Sequence, residues 1–245
     1  MGLMGTANAQ SEPKGQREYY QLRRYHLQSG PQTQITENYF AHALIPALNK
    51  MGISPVGAFR LDFGPETPVY YLLMPSTSVE ALATVDLQLA KDDEFVKAAD
   101  AFWNAPASQP AFSRVESSLF AAFQGWPKLT PPPAKKRIFQ LRTYESPSYK
   151  DHVVKVDMFH NGEFDIFARS GFKQVFYGDA LVGERLPCLT YMLSFGDMAE
   201  LDACWLKFRD DPAWQKLSHL PKYGSEAIVS NISNLILSPL SCSQI

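Results

Sequence analysis

The sequence predicts an α+β fold in which two copies of one module close a barrel within a single chain. A strand-like run at 19–25, Tyr-Tyr-Gln-Leu-Arg-Arg-Tyr, recurs at 138–144 as Ile-Phe-Gln-Leu-Arg-Thr-Tyr, an offset of 119 residues. The offset holds without a gap from residue 21 to residue 95, and a proline-rich stretch at 127–133 separates the copies. A repeat of this length indicates a duplicated structural unit.

Each copy has the predicted order β-α-β-β-α-β. Its first helix follows from apolar residues at helical spacing, from Phe40 to Met51 and again from Val153 to Phe167. Its strands follow from short apolar runs between turn residues. The predicted strands are 19–25, 55–63, 69–74 and 113–123 in the first copy, and 138–144, 172–179, 188–194 and 227–237 in the second.

Helix ends carry their usual residues in both copies. Gly52 and Gly171 follow the first helix, where glycine accepts a left-handed conformation. Ser78 and Asp197 precede the second helix, where a side-chain oxygen accepts the free amides of the first turn. More helix is predicted after Asp92 and Asp211.

This order is that of the ferredoxin-like unit. One such unit leaves one sheet face uncovered, and two units in one chain can lay those faces together as a barrel. The predicted domains are 17–125 and 137–240, joined by a stiff linker at 126–136 and preceded by a tail at 1–16.

Composition narrows the function classes. Hydrophobic residues make up 45% of the chain, charged residues 20%, and the net charge is −2. Lysine and arginine are scattered, so nucleic-acid binding is not predicted. No apolar run is long enough for a transmembrane helix. The three cysteines, Cys188, Cys204 and Cys242, have neither zinc-like nor CxxC spacing and are predicted to be free thiols.

The N-terminus leaves localisation open. Ala7-Asn8-Ala9 has the A-x-A pattern that signal peptidase recognises, but a charged n-region and an apolar h-region are missing. One interpretation is the remnant of an export signal, which makes the protein periplasmic or extracellular. The other is a polar tail on a cytoplasmic protein.

Several motifs resemble the NIPSNAP family, within the dimeric α/β-barrel superfamily. They are Gln-Leu-Arg-Thr-Tyr-Glu at 140–145, Met-Phe-His-Asn-Gly-Glu at 158–163, Pro-Cys-Leu-Thr-Tyr-Met-Leu at 187–193, and Ile-Val-Ser-Asn-Ile-Ser-Asn at 228–234. The first copy departs from them, with His26 in place of Glu145 and no counterpart of 161–163. The resemblance implies a tandem ferredoxin-like barrel of bacterial type and transfers no reaction.

Strand alternation predicts which residues face the barrel. In 138–144, Phe139, Leu141 and Thr143 share one face, and Ile138, Gln140, Arg142 and Tyr144 share the other. We expect the apolar pair to pack on the helices and the polar set to point into the barrel. The first copy repeats the pattern, and the predicted ligand-binding residues are Arg23, Tyr25, Gln140, Arg142, Tyr144 and Tyr177.

An interior arginine needs a partner, because a desolvated lone charge is costly. The favoured interpretation is a protein carboxylate such as Glu116, Glu145, Glu163 or Asp179. The alternative is an acidic ligand.

His160 and Glu163 are the predicted catalytic pair. They lie three residues apart on one predicted helix, a spacing that places two side chains on the same face. Such a pair could perform acid–base chemistry. One alternative is that His160 binds a metal or a haem iron. The other is a structural role, in which hydrogen bonds hold the histidine at a helix end. With no third ligand in view, no metal is predicted.

The sequence has no GxGxxG, Walker, GxSxG or HExxH motif, so no nucleotide cofactor or serine-hydrolase chemistry is predicted. Three hypotheses remain for the function. The first is a protein that binds a small ligand in its barrel. The second is a monooxygenase- or isomerase-type enzyme, and the third is a protein-interaction module. Whether the protein is an enzyme, and whether it forms a homodimer, are left open.

Overall fold

The computed structural model describes residues 17–133, 136–224 and 228–245. The predicted tail at 1–16 lies outside the described residues, as do 134–135 of the predicted linker and Ala227, where the last strand was predicted to begin. Within the described residues no helix is long and apolar enough to cross a membrane.

Eight strands form one closed antiparallel barrel. Their order around it is β1-β3-β2-β8-β5-β7-β6-β4, so each half contributes four neighbouring strands. The pairs β2–β8 and β4–β6 join the halves. The strands are β1 (Tyr19–His26), β2 (Gly57–Phe63), β3 (Val69–Ser76), β4 (Arg114–Ala122), β5 (Ile138–Glu145), β6 (Lys173–Val182), β7 (Cys188–Phe195) and β8 (Asn231–Pro239).

This architecture confirms the predicted α+β fold with tandem halves. Strand boundaries differ most at β8, which begins at Asn231 and ends at Pro239. β6 continues to Val182, three residues beyond its predicted end, because its end pairs with Leu119 of β4 across the junction. That pairing joins two copies, so neither copy's own sequence pattern reveals it.

Helices cover the outside of the barrel. The capping predictions are confirmed, since Ser78 accepts from the amide of Ala81 and Asp197 from that of Glu200. The helices are α1 (Pro31–Tyr39), α2 (Ile45–Lys50), α3 (Val79–Ala83), α4 (Val85–Leu89), α5 (Asp93–Ala98), α6 (Asp100–Trp103), α7 (Tyr149–Met158), α8 (Phe164–Ser170), α9 (Met198–Asp210) and α10 (Pro212–Ser218).

The first long helix of each half contains a π-helical turn. The turns are Phe40–Leu44, between α1 and α2, and Phe159–Glu163, between α7 and α8. They occupy equivalent positions in the repeat. In the second half the turn is further distorted at Gly162, whose φ of 139° favours glycine. Turns of this kind inside helices often accompany functional sites.

Three apolar clusters form the core. One lies between helices and sheet in each half, and the third fills the barrel and includes Leu22, Phe139 and Leu141. Tyr144, Tyr177 and Tyr191 belong instead to the helix–sheet cluster of the second half. The sheet is therefore buried on both faces.

The two strand faces were grouped correctly, but their predicted orientation was wrong. Phe139 and Leu141 point into the barrel, while Gln140 points towards the helices and accepts a hydrogen bond from Trp205 of α9. Because both faces are buried, an apolar face does not identify the helix side.

The two ends of the barrel differ. Neighbouring strands are antiparallel, so β1 and β5 run in the same direction and end, at His26 and Glu145, on the same side. The opposite end is closed by Leu129 from the inter-copy segment and by the C-terminal residue Ile245, both packed in the interior cluster. The end at His26 and Glu145 is open, and we call it the mouth.

Candidate functional site

A cavity of about 470 Å³ occupies the mouth. Its inner wall is apolar and includes Leu22, Leu141 and Phe120. Polar groups lie closer to the opening, among them Thr143 and Thr190, whose hydroxyls are 2.8 Å apart. Ligand sites in proteins are typically of this size and combine apolar walls with a few directed polar groups.

A charged network forms the first-half side of the mouth. The His26 ring lies between two carboxylates, with Nδ1 2.8 Å from Glu66 Oε2 and Nε2 3.1 Å from Glu116 Oε2. Arg114 Nε donates to Glu116 Oε1 at 2.6 Å, and Arg24 also contacts this carboxylate. Burial would raise the pKa of Glu116, but hydrogen bonds from Arg114, His26 and Arg24 outweigh it and lower the pKa to about 2. Glu116 is therefore ionised at neutral pH.

The second-half side has different residue types at the equivalent positions. Glu145 occupies the position of His26, and Arg185 occupies that of Glu66, 3.4 Å from Glu145 Oε1. Asn231 Nδ2 donates to the same carboxylate oxygen at 2.9 Å, and Arg185 Nη1 donates to Ser233 at 2.7 Å. The arginines and glutamates of the rim are thus paired with one another on both sides.

Two further side chains line the cavity as neutral groups. Burial raises the pKa of the Cys188 thiol to about 11, and the neighbouring Glu145 adds to this. Burial also raises the pKa of Tyr71, although Arg24 opposes the shift. Both groups are therefore hydrogen-bonding or apolar surfaces at neutral pH, not nucleophilic anions.

The predicted ligand-binding residues lie outside this cavity, under the helices. Tyr144 and Tyr191 share a hydrogen bond of 2.8 Å, and Tyr177 donates to Gln174 Oε1 at 2.6 Å. Arg23 and Tyr25 line a separate groove in the first half. Gln140, Arg142 and Tyr144 lie together in the second half. They do not meet Arg23 and Tyr25 of the first half across the barrel, as was predicted.

The two interior arginines have different partners. Arg23 donates to both carboxylate oxygens of Asp86 at 2.9 Å, which confirms a protein carboxylate as its partner. For Arg142 this prediction was wrong, since no described carboxylate lies within ion-pair distance of its guanidinium. Its guanidinium carbon lies 4.3 Å from the ring centre of Trp205 and 5.3 Å from that of Tyr144. Trp205 occupies the position equivalent to Asp86.

His160 and Glu163 have separate partners. His160 is exposed, its Nδ1 lies 2.8 Å from the Val156 carbonyl, and its Nε2 accepts from the amide of Gly125 at 3.0 Å. Glu163 is buried and pairs with Lys155 at 2.9 Å. The ring nitrogens of His160 are thus both engaged by backbone groups, an arrangement that does not fit a metal or haem ligand. The catalytic role of the pair stays a prediction.

The family model for NIPSNAP matches residues 20–115 and 139–244, which is most of both halves. The chain belongs to the NIPSNAP family. No curated protein matches it significantly.

Solved structures share the fold over nearly the whole chain. One is a candidate monooxygenase from Lactobacillus acidophilus, with a TM-score of 0.61 and 10% identity, covering 91% of this chain and 94% of that one. Another, from Fusobacterium nucleatum and also named as a candidate monooxygenase, has a TM-score of 0.61 and 11% identity, covering 92% and 93%. A NIPSNAP-like domain protein from Burkholderia xenovorans covers 43% of this chain and 87% of its own, with a TM-score of 0.39 and 16% identity. At 10% and 11% identity, the first two structures show the fold alone.

Within this NIPSNAP chain, sequence reasoning missed the inward-facing polar residues Arg24, His26, Thr143 and Thr190. One signal was available, because the replacement of Glu145 by His26 marked the end of the first strand as a position where the copies differ. These polar residues lie where the inward faces of the strands, which are otherwise apolar, come to an end. The change from apolar to polar residues along each strand could therefore have located the mouth.

The described residues contain no group of three or more histidine, cysteine, aspartate or glutamate side chains that could hold a metal ion. In the mouth, His26 faces Glu66 and Glu116, but arginines occupy the same carboxylates.

Proposed function

We propose that the protein binds a small amphipathic molecule in the mouth cavity. The observation that carries the proposal is the difference between the barrel ends. One end is filled by Leu129 and Ile245, while the other holds a cavity of about 470 Å³ between an apolar wall and a polar rim.

The lining favours one class of ligand. Leu22, Leu141 and Phe120 suit a compact ring or chain, which would be stabilised by burial of its apolar surface. Thr143 and Thr190 offer hydroxyls to a hydrogen-bonding head group such as an alcohol or carbonyl. The rim arginines are already paired with glutamates, so the rim does not require an anionic head group.

No specific observation supports the enzyme hypothesis or the protein-interaction hypothesis. A monooxygenase- or isomerase-type reaction would use the same cavity, but the predicted pair His160 and Glu163 is engaged elsewhere. Two full-length structural neighbours are named as candidate monooxygenases, but they are only 10% and 11% identical to this chain. Their names therefore do not assign a reaction to it. Binding is therefore the function that the geometry supports best.

The proposal is tested with 1-octanol, an apolar chain with a hydroxyl head, titrated into the isotopically labelled full chain and followed by NMR. We expect saturable shifts at Leu141, Thr143 and Thr190. Ala180 lines the cavity, and Ala180→Phe fills part of it. We expect this variant to bind at least about tenfold more weakly, a loss of about 1.4 kcal/mol.

Ala168→Phe is the matched control, because Ala168 is an exposed alanine on α8, away from the cavity lining. It should bind like the unmodified chain. Equal affinity in Ala180→Phe, or saturable shifts confined to other parts of the molecule, would contradict the proposal.

A further inference from the structure

The first half contains a second concave site, which we call the Arg23 groove. It has a volume of about 340 Å³ and lies under the helices, separate from the mouth cavity. Its polar lining is Arg23 and Asp86, and its apolar lining is mainly aromatic. The aromatic lining includes Tyr25 and Trp103, and Val115 lines the groove from β4.

The edges of the Arg23 guanidinium are occupied. Nη1 and Nη2 each donate to Asp86 at 2.9 Å, and Nε donates to Gln21 Oε1 at 3.3 Å. Arg23 is buried, with 8% of its side chain exposed, while the Asp86 side chain is 57% exposed. Three of the five N–H groups of the guanidinium are therefore engaged, two of them by the Asp86 carboxylate.

Unlike its edges, the two flat faces of the Arg23 guanidinium have no aromatic partner among the described residues. Among the described residues, no aromatic ring lies over Arg23 within the range of a cation–π contact, although Arg142 has two such rings, those of Trp205 and Tyr144. Guanidinium groups stack favourably on planar aromatic rings. The groove thus presents a buried arginine whose face is not stacked on a ring.

The second half shows what fits at this position. Trp205, the equivalent of Asp86, stacks its indole on Arg142 at 4.3 Å. Its Nε1 donates to Gln140 Oε1 at 2.8 Å. Gln21 is the equivalent of Gln140 and lies beside Arg23. The two halves therefore share the arginine and the glutamine, but only the second half supplies the ring from its own chain.

We infer that the Arg23 groove binds a planar nitrogen heteroaromatic ring bearing an N–H donor. The ring stacks on Arg23 between the aromatic walls, as Trp205 stacks on Arg142. Its N–H donates to the exposed carboxylate of Asp86, which lines the groove. The groove is a site distinct from the mouth cavity, and it does not depend on the function proposed for that cavity.

Indole is the probe, titrated into the isotopically labelled full chain and followed by NMR. We expect saturable shifts at the Trp103 side-chain N–H and at the Arg23 amide. Indene has the same shape without the N–H, and we expect it to bind at least about fivefold more weakly for lack of that hydrogen bond. Absence of saturable shifts with indole, or shifts confined to mouth residues such as Thr143, would overturn the inference.

Asp86→Trp tests the comparison between the halves directly. The new indole should cover Arg23 as Trp205 covers Arg142, and weaken indole binding at least about tenfold. Leu87→Trp is the matched control, because Leu87 is the next residue of α4, is 65% exposed, and does not line the groove. It should leave the affinity unchanged.

Val115→Trp narrows the groove from β4 and leaves the Arg23–Asp86 pair intact, so it gives an answer even if Asp86→Trp does not fold. We expect a similar loss of indole binding. Unchanged affinity in either folded variant would overturn the inference.

Discussion

The two halves of the barrel share a backbone but differ in what they bury between helices and sheet. In the first half, Thr36 and Leu44 are completely buried in α1 and the π turn that follows it. The equivalent residues of the second half are Lys155 and Glu163, a buried ion pair. The duplication has kept the π turns and the strand order, and it has changed the chemistry of the core.

The arginines show the same divergence. Arg23 is neutralised by a carboxylate at the protein surface, whereas Arg142 is covered by the aromatic rings of Trp205 and Tyr144. A buried charge can be retained by either means. The first arrangement leaves the Arg23 groove, and the second fills the equivalent space with the chain's own indole.

The largest expected effect comes from breaking the buried ion pair. Glu163→Leu introduces the residue found at Leu44 and leaves Lys155 charged without a partner, so we expect a loss of about 3–5 kcal/mol in the free energy of unfolding. Adding Lys155→Met should restore most of it, because the double variant has an apolar core like that of the first half. Urea denaturation of the single and double variants measures both, and a double variant as unstable as Glu163→Leu would contradict this account.

A smaller loss is expected for Trp205→Ala. The change removes the ring stacked on Arg142 and the donor to Gln140. We expect a loss of about 3 kcal/mol, at the lower end of the range for tryptophan in a core, because Trp205 is only partly buried. Leu206→Ala, at the neighbouring and half-exposed residue of α9, should cost much less. Equal thermal stability of the two variants would show that Arg142 does not need the ring.

Acid should weaken the first-half side of the mouth through Glu116. Its pKa is lowered from 4.5 to about 2 in the folded chain. Its contribution to stability is therefore present above about pH 4.5 and is lost as the pH falls towards 2. Because the mouth is open to water, we expect this contribution to be about 1–2 kcal/mol.

Glu116→Gln should remove that part of the pH dependence. Denaturation at pH 5 and at pH 2.5 should show a smaller fall in stability for the variant than for the unmodified chain. On the second-half side of the mouth, the neutral Ser233 lies at the position that corresponds to Glu116. Ser233→Ala is therefore the control, and it should keep the full pH dependence. Parallel falls in all three proteins would be incompatible with the network described.

The smallest expected effect concerns His160. His160→Ala introduces the residue found at the equivalent position of the first half, Ala41, and removes the acceptor for the Gly125 amide. We expect a loss of about 1 kcal/mol in stability and no change in 1-octanol binding at the mouth. A variant with full stability but altered binding would favour the predicted functional role of His160 over a structural one.

The sequence predicted the fold well because its signals were local and occurred twice. Gly171 in a left-handed conformation and the caps at Ser78 and Asp197 are each determined by a few neighbouring residues. The offset of 119 residues then showed that the same unit is built twice. Such signals do not depend on how the two halves meet.

The site could not be predicted in the same way. Alternation correctly separated Gln140, Arg142 and Tyr144 from Phe139 and Leu141, but it carries no information on which face meets the helices when both faces are buried. The extension of β6 to Val182 and the closure by Ile245 depend on contacts between distant segments. These contacts decide which end of the barrel is open.

The most direct test of the mouth as the ligand site is a crystal structure of the full chain grown with 1-octanol. The account predicts electron density for the alkyl chain between Leu22 and Leu141, with the hydroxyl near Thr143 or Thr190. Density for the molecule under the helices beside Tyr144 and Tyr177, with an empty mouth, would contradict it.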